Sequence, residues 1–158
     1  DSSYGRIILL GLGLSMVGDM CLLANGQGRG FVTGLASFLL AHVAYVVAFV
    51  GLGQSLELVA VALLPVIALV LLMYRYLAAH VQAPMRLPVA SYVLVISLML
   101  LAAGGSGNAW VLGGAVIFAL SDIYVARERF VVSAWINRGI GLPLYYLAQL
   151  ILAYTVAA

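Results

Sequence analysis

In this chain of 158 residues, 66% are hydrophobic and only 8% are charged, with a mean hydropathy of +1.20. That excludes an ordinary soluble domain, in which about a quarter of residues carry charge. The net charge of +2 is too small to point to nucleic acid, and one cysteine, Cys21, excludes an internal disulfide and offers no metal-ligand spacing.

A secretory leader has one short apolar stretch and then turns polar, whereas this chain stays apolar to Ala158. The expected fold is therefore all-α, a polytopic transmembrane helix bundle forming a single domain over 1–158. A first residue of Asp1 and not Met is what a processed or trimmed chain would show.

In chain order, Gly, Pro, Asn, Gln and charged clusters cut the sequence into six predicted spans of about 20 residues. They run Arg6 to Ala24, Phe31 to Leu52, Glu57 to Leu77, Leu87 to Ala103, Ala109 to Ala126 and Gly139 to Val156. Short links alternate sides, and cytoplasmic links collect arginine. Arg29 falls in the first link, Arg75 and Arg86 flank the third, and Arg127, Arg129 and Arg138 lie in the fifth; the other side has Arg6. Links one, three and five are thus expected in the cytoplasm.

Asp1 and Glu57 lie at span ends and Glu128 lies among arginines, as solvated surface charges would. Asp19 and Asp122 lie inside spans, where an ionisable group costs a few kcal/mol and marks a functional site by default. Asp19 precedes its link by about six residues and Asp122 precedes Arg127 by about five, or roughly 9 and 7 Å of helix rise. Both carboxylates are expected at one depth, in the cytoplasmic half.

His42 and Tyr45 share one face of the second span, and Tyr145 and Gln149 one face of the last. With Ser15 and Ser121 they are candidates to line a polar pocket, although Ser and Gln in spans more often only join helices. Gly11 and Gly114 each lie eight residues before their aspartate, and Tyr145 lies as far past Asp122 as His42 lies past Asp19. Spans one and two thus repeat faintly as spans five and six.

The ordered segments "SMVGDMCLL", "FVTGLASFLLAHVAYVVAF", "GAVIFALSDIYVARERF" and "LPLYYLAQLIL" resemble the YhhN-like lysoplasmalogenase family of membrane proteins over nearly the whole chain. The resemblance implies hydrolysis of the vinyl ether of a lysoplasmalogen, giving a fatty aldehyde and glycerophosphocholine or glycerophosphoethanolamine. It also implies that Asp19 and Asp122 are the important acids. Family members usually have eight spans, so an N-terminal hairpin is expected to be absent here.

A vinyl ether is cleaved by acid: protonation of the carbon beta to oxygen gives an oxocarbenium ion that water captures. Desolvation and a neighbouring carboxylate both favour a neutral carboxyl. One aspartate is thus expected to act as general acid while the other, ionised, stabilises the cation and orients water, as in glycosidases. Which one is the acid stays open in the sequence.

His42, Tyr45 and Tyr145 are expected to hold the water or the glycerol hydroxyl, and Gln149 the ether oxygen. Arg127 or Arg129 would bind the lipid phosphate, although arginines there also serve topology and anionic-lipid contact. The expected partners are a lysophospholipid substrate and membrane lipids, without nucleic acid, metal or other cofactor. The oligomeric state is unreadable.

Three alternatives stand beside this reading. A metal-dependent hydrolase would have only Asp19, His42 and Asp122 as ligands. A proton-coupled small transporter or lipid-binding protein would also place acids in spans. Its broken helices are not signalled, because Pro88 and Pro143 fall in predicted first turns and only Pro65 lies near mid-span. The third alternative is the same acid chemistry on a different lysolipid.

Overall fold

The computed structural model describes residues 2–24 and 29–157, with backbone only at Ala24 and Arg29. Asp1, residues 25–28 of the first link and the Arg29 side chain expected at the arginine-rich end lie outside the described residues. Among the described residues there are six α-helices and no strand: α1 (Ser3–Ala24), α2 (Arg29–Val50), α3 (Leu56–Leu77), α4 (Ala83–Gly105), α5 (Ala109–Ala126) and α6 (Trp135–Tyr154).

Five of them are long and apolar enough to cross a membrane. The sixth, α6, has 20 residues but is diluted by Asn137, Arg138, Tyr145 and Gln149, several of which turn out to face the site. The bundle is that of a multi-pass helical membrane protein. Its outer surface is apolar, with Leu23, Leu64 and Leu150 largely exposed, as a lipid-facing surface requires.

Successive helices run antiparallel. The Ser37 hydroxyl of α2 donates to the Leu14 carbonyl of α1 across 2.7 Å, and Gly141 near the start of α6 lies against Tyr124 near the end of α5. Asn108 caps α5 by accepting from the backbone N–H groups of Trp110 and Val111 at 2.9 and 3.2 Å. Gln54 ties the α2–α3 link to the Ala102 carbonyl of α4 at 3.2 Å.

Two predicted boundaries move by about four residues. Pro84 occupies the first turn of α4, a position with no lost hydrogen bond, so the helix starts at Ala83 and Pro88 lies inside it. After α5 the chain makes one π-helical turn over Arg127–Val131 and becomes extended at Val132, and α6 then starts at Trp135. Pro143 is therefore within α6 and not in its first turn.

Glu128 stabilises that start. It accepts from the Ser133 hydroxyl at 2.6 Å, the Ala134 N–H at 2.8 Å and the Asn137 side chain at 2.9 Å. The acid expected to be a simple surface charge thus organises the fifth link.

The tightest helix pairs are α1 with α2 and α5 with α6. A Cβ on Gly11 would collide with the Tyr45 ring, and one on Gly114 would come within 2.7 Å of Leu152, so small residues let each pair close. The core, built around Tyr45, Phe49, Met99, Phe118 and Leu152, fills the half of the bundle away from the arginines. The other half is hollow.

Candidate active site

The hollow half is a cavity of about 840 Å³ lined by all six helices. They contribute the closing turns of α1, α3 and α5, the first turns of α2 and α6 and the second turn of α4, for example Leu22, Leu77, Val125, Phe31, Asn137 and Val89. These are the ends that carry Arg75, Arg86, Arg127, Arg129 and Arg138. Asp19 and Asp122 both line the cavity, so their matched depth, read from sequence spacing, corresponds to one shared chamber.

Each carboxylate is held by a ring from the other close helix pair. Asp19 on α1 accepts a hydrogen bond from the Tyr145 hydroxyl of α6, with 2.8 Å between Tyr145 Oη and Asp19 Oδ2. Asp122 on α5 has Oδ2 3.3 Å from His42 Nε2 of α2. It also accepts at Oδ1 from the Tyr92 hydroxyl of α4, at 3.3 Å. His42 and Tyr145 are the two residues that the faint repeat makes equivalent, so the repeat has a geometric counterpart in crossed pairing.

His42 is completely buried. Its Nδ1 lies 2.7 Å from the Phe38 carbonyl one turn back, and its ring meets Phe118 and Tyr92 edge to face at 4.6 and 5.2 Å. The carbonyl contact assigns the Nδ1 proton, leaving Nε2 towards Asp122. Nε2 and Oδ2 are both shut off from solvent, and at 3.3 Å they are not aligned as a hydrogen bond, so neither atom has a hydrogen-bond partner.

Tyr45 and Gln149 join to each other at 2.7 Å and lie behind the wall, outside the residues lining the cavity. Buried Ser15 faces the Tyr45 phenol without a well-aligned hydrogen bond. Gln149 also reaches Tyr145, so it ties the two tyrosines together below the carboxylates. Ser121 lines the cavity but donates its hydroxyl to the Phe118 carbonyl of its own helix at 2.7 Å. That satisfies its donor and turns it away from a bound group.

The arginine expectations divide. Arg129 lines the cavity, its guanidinium 4.0 Å above the centroid of Phe31. Arg127 does not line it and instead donates to Asn137 Oδ1 at 3.2 Å. Arg138, expected only as a topological charge, stands on the rim, 3.7 Å from Glu128. Its place follows from the earlier start of α6.

Tyr92 was not singled out in the sequence. It lies alone in a span with no acid and no partner at helical spacing, so only the packing of α4 against α2 and α5 reveals it. Among the described residues no three His, Cys, Asp or Glu side chains gather as a metal site would require.

The fold and site define a multi-pass helical membrane protein with a lipid-sized, mostly apolar chamber and two separately held carboxylates. The profile of the YhhN family matches residues 1–156, and the chain belongs to that family. It is similar to the lysoplasmalogenase TMEM86B of Rattus norvegicus, 37% identical over 153 residues covering 95% of this chain and 61% of the relative. The human TMEM86B lysoplasmalogenase is 36% identical, over 96% of this chain and 64% of the relative. A lysoplasmalogenase of Mycobacterium tuberculosis is 28% identical, over 89% and 55%. The chain thus spans about three fifths of the length of these relatives, and no solved structure matches it.

Proposed function

We propose that this protein is a lysoplasmalogenase, hydrolysing the vinyl ether of a lysophospholipid within the membrane. The single observation that carries the reading is the shared chamber: two carboxylates from different helix pairs, each with its own ring partner, line one cavity that ends at arginines. The lysoplasmalogenase names of the relatives support the choice of substrate.

With the Nδ1 proton of His42 on the Phe38 carbonyl, neutral Nε2 presents a lone pair to Asp122 Oδ2 at 3.3 Å. The contact is close but not aligned as a hydrogen bond, and Asp122, whose carboxyl meets the cavity, is assigned as the general acid. His42 is its positioning partner, and Tyr92 fixes the other oxygen. Asp19, accepting from Tyr145, is the carboxyl placed to face the developing cation.

Asp122 gives its proton to the vinyl carbon beta to the ether oxygen, and the neighbouring carbon becomes an oxocarbenium centre stabilised by Asp19. Water oriented by Asp19 adds to that centre and yields its proton to the same carboxylate. The hemiacetal then breaks its carbon to oxygen bond, giving the aldehyde and the glycerol hydroxyl, and the proton held by Asp19 passes through the cavity to the Asp122 carboxyl, which restores both acids. Arg129 and Arg138 would hold the lipid phosphate at the rim, with the arginine-bearing end facing the cytoplasm.

The test is aldehyde release from a defined lysoplasmalogen by the purified full chain in detergent, beside folded Asp122→Asn and Asp19→Asn variants. Wild-type release that falls about 10²- to 10⁴-fold in Asp122→Asn is the expected result. A folded wild type that releases no aldehyde overturns the assignment.

A further inference from the structure

Beyond the aspartates, away from the arginines, a second cavity of about 380 Å³ lies between α3, α4 and α5. All of its lining residues are apolar, among them Val61 and Val66 of α3, Gly104 of α4, and Leu112 and Val116 of α5. It is open because α3 packs on α4 while α5 packs mainly on α6 and less on α4, leaving little direct contact between α3 and α5. Leu69, Ala119 and Ile123 line both this groove and the site cavity, so the two spaces adjoin at these side chains.

We infer that this groove binds the hydrocarbon chain of the substrate and sets chain-length preference. The inference rests on the lysolipid reading above and adds to it the site that measures the chain. A lipid whose phosphate is at Arg129 and whose first chain carbons are at the aspartates must send the rest of the chain away from the arginine end. The groove begins there, at Leu69, Ala119 and Ile123.

From Asp122 to Leu112 is ten residues of α5, about 15 Å of rise, which an extended chain of roughly a dozen carbons would span. The groove, about 380 Å³ and lined only by apolar side chains, offers such a chain an apolar seat.

Val116 and Leu112 stand along the groove, 41% and 39% exposed, so an indole at either position enters the groove without invading the core. The probe is a series of saturated 1-O-alkyl lysophosphatidylcholines with octyl, dodecyl and octadecyl chains, which cannot undergo vinyl ether cleavage. Their binding to the purified full chain is measured by native mass spectrometry, with thermal melting as the fold control.

Val116→Trp is expected to weaken dodecyl and octadecyl binding about tenfold relative to octyl, and Leu112→Trp to weaken octadecyl alone. Identical chain-length profiles in wild type and both variants, or an equal loss at every length, overturn the inference. Binding is read without turnover, so a protein that releases no aldehyde yet shows the staggered cut-off refutes the hydrolase reading and keeps the groove. Aldehyde release with a flat profile does the reverse.

Discussion

Replacing Tyr145 with Phe removes one oxygen and little else. The ring stays packed edge to face against Phe38 and Phe118 at 5.9 and 5.5 Å. The change deletes the 2.8 Å hydrogen bond to Asp19 Oδ2 and the approach to Gln149. A hydrogen bond to an ionised carboxylate contributes about 1.5–3 kcal/mol. Asp19 is only partly buried, so solvent can take over much of that in the resting state, and the folded protein loses little.

In the transition state the same carboxylate must face a developing cation in a fixed orientation, where the lost contact is felt in full. A loss of about 1.5–3 kcal/mol there lowers kcat roughly 10- to 150-fold. The assay is steady-state aldehyde release with kcat and KM determined separately, alongside the melting temperature in detergent. An unchanged kcat in a folded Tyr145→Phe protein would refute the role of Tyr145 in holding Asp19, and a rise in KM alone would make it a substrate contact instead.

Two further outcomes follow from the geometry. Gly11→Ala forces a methyl group into the Tyr45 ring, which is fully buried and tied to Gln149; overpacking of this kind costs about 1–3 kcal/mol and should lower the melting temperature by several degrees. Arg129→Ala is expected to raise KM for the lysolipid about tenfold with kcat nearly intact. Arg127→Ala, which loses the contact to Asn137, should instead lower thermal stability and leave KM alone; equal KM effects in the two variants would argue against a phosphate site at the Arg129 rim.

Much of the site was legible because a membrane makes polar residues scarce. Two acids inside spans needed no alignment to be noticed, and helix rise was enough to set Asp19 and Asp122 at one depth. Depth is a one-dimensional quantity that a sequence carries well. Rotation about each helix axis, and which helix neighbours which, are not written locally.

That is why Tyr92, on an otherwise unremarked helix, was missed, and why Ser121, next to Asp122 in sequence, turned out to bond to its own backbone. The same limit explains the exchange of Arg127 for Arg138. The π-helical turn and the Glu128 contacts start α6 early, which swings one arginine off the chamber and the other onto its rim. The faint repeat gave equivalent faces but not the crossing of partners between helix pairs.

That crossing makes the candidate site a property of the assembled bundle. A cut between α3 and α4 would leave Asp19 and His42 on one fragment and Tyr145, Tyr92 and Asp122 on the other, so Asp19 would be parted from Tyr145, and Asp122 would keep Tyr92 but lose His42. Until α4, α5 and α6 pack, the Asp19 carboxylate and the His42 imidazole lack the partners that hold them, and the set of contacts around both acids is complete only when α6 docks.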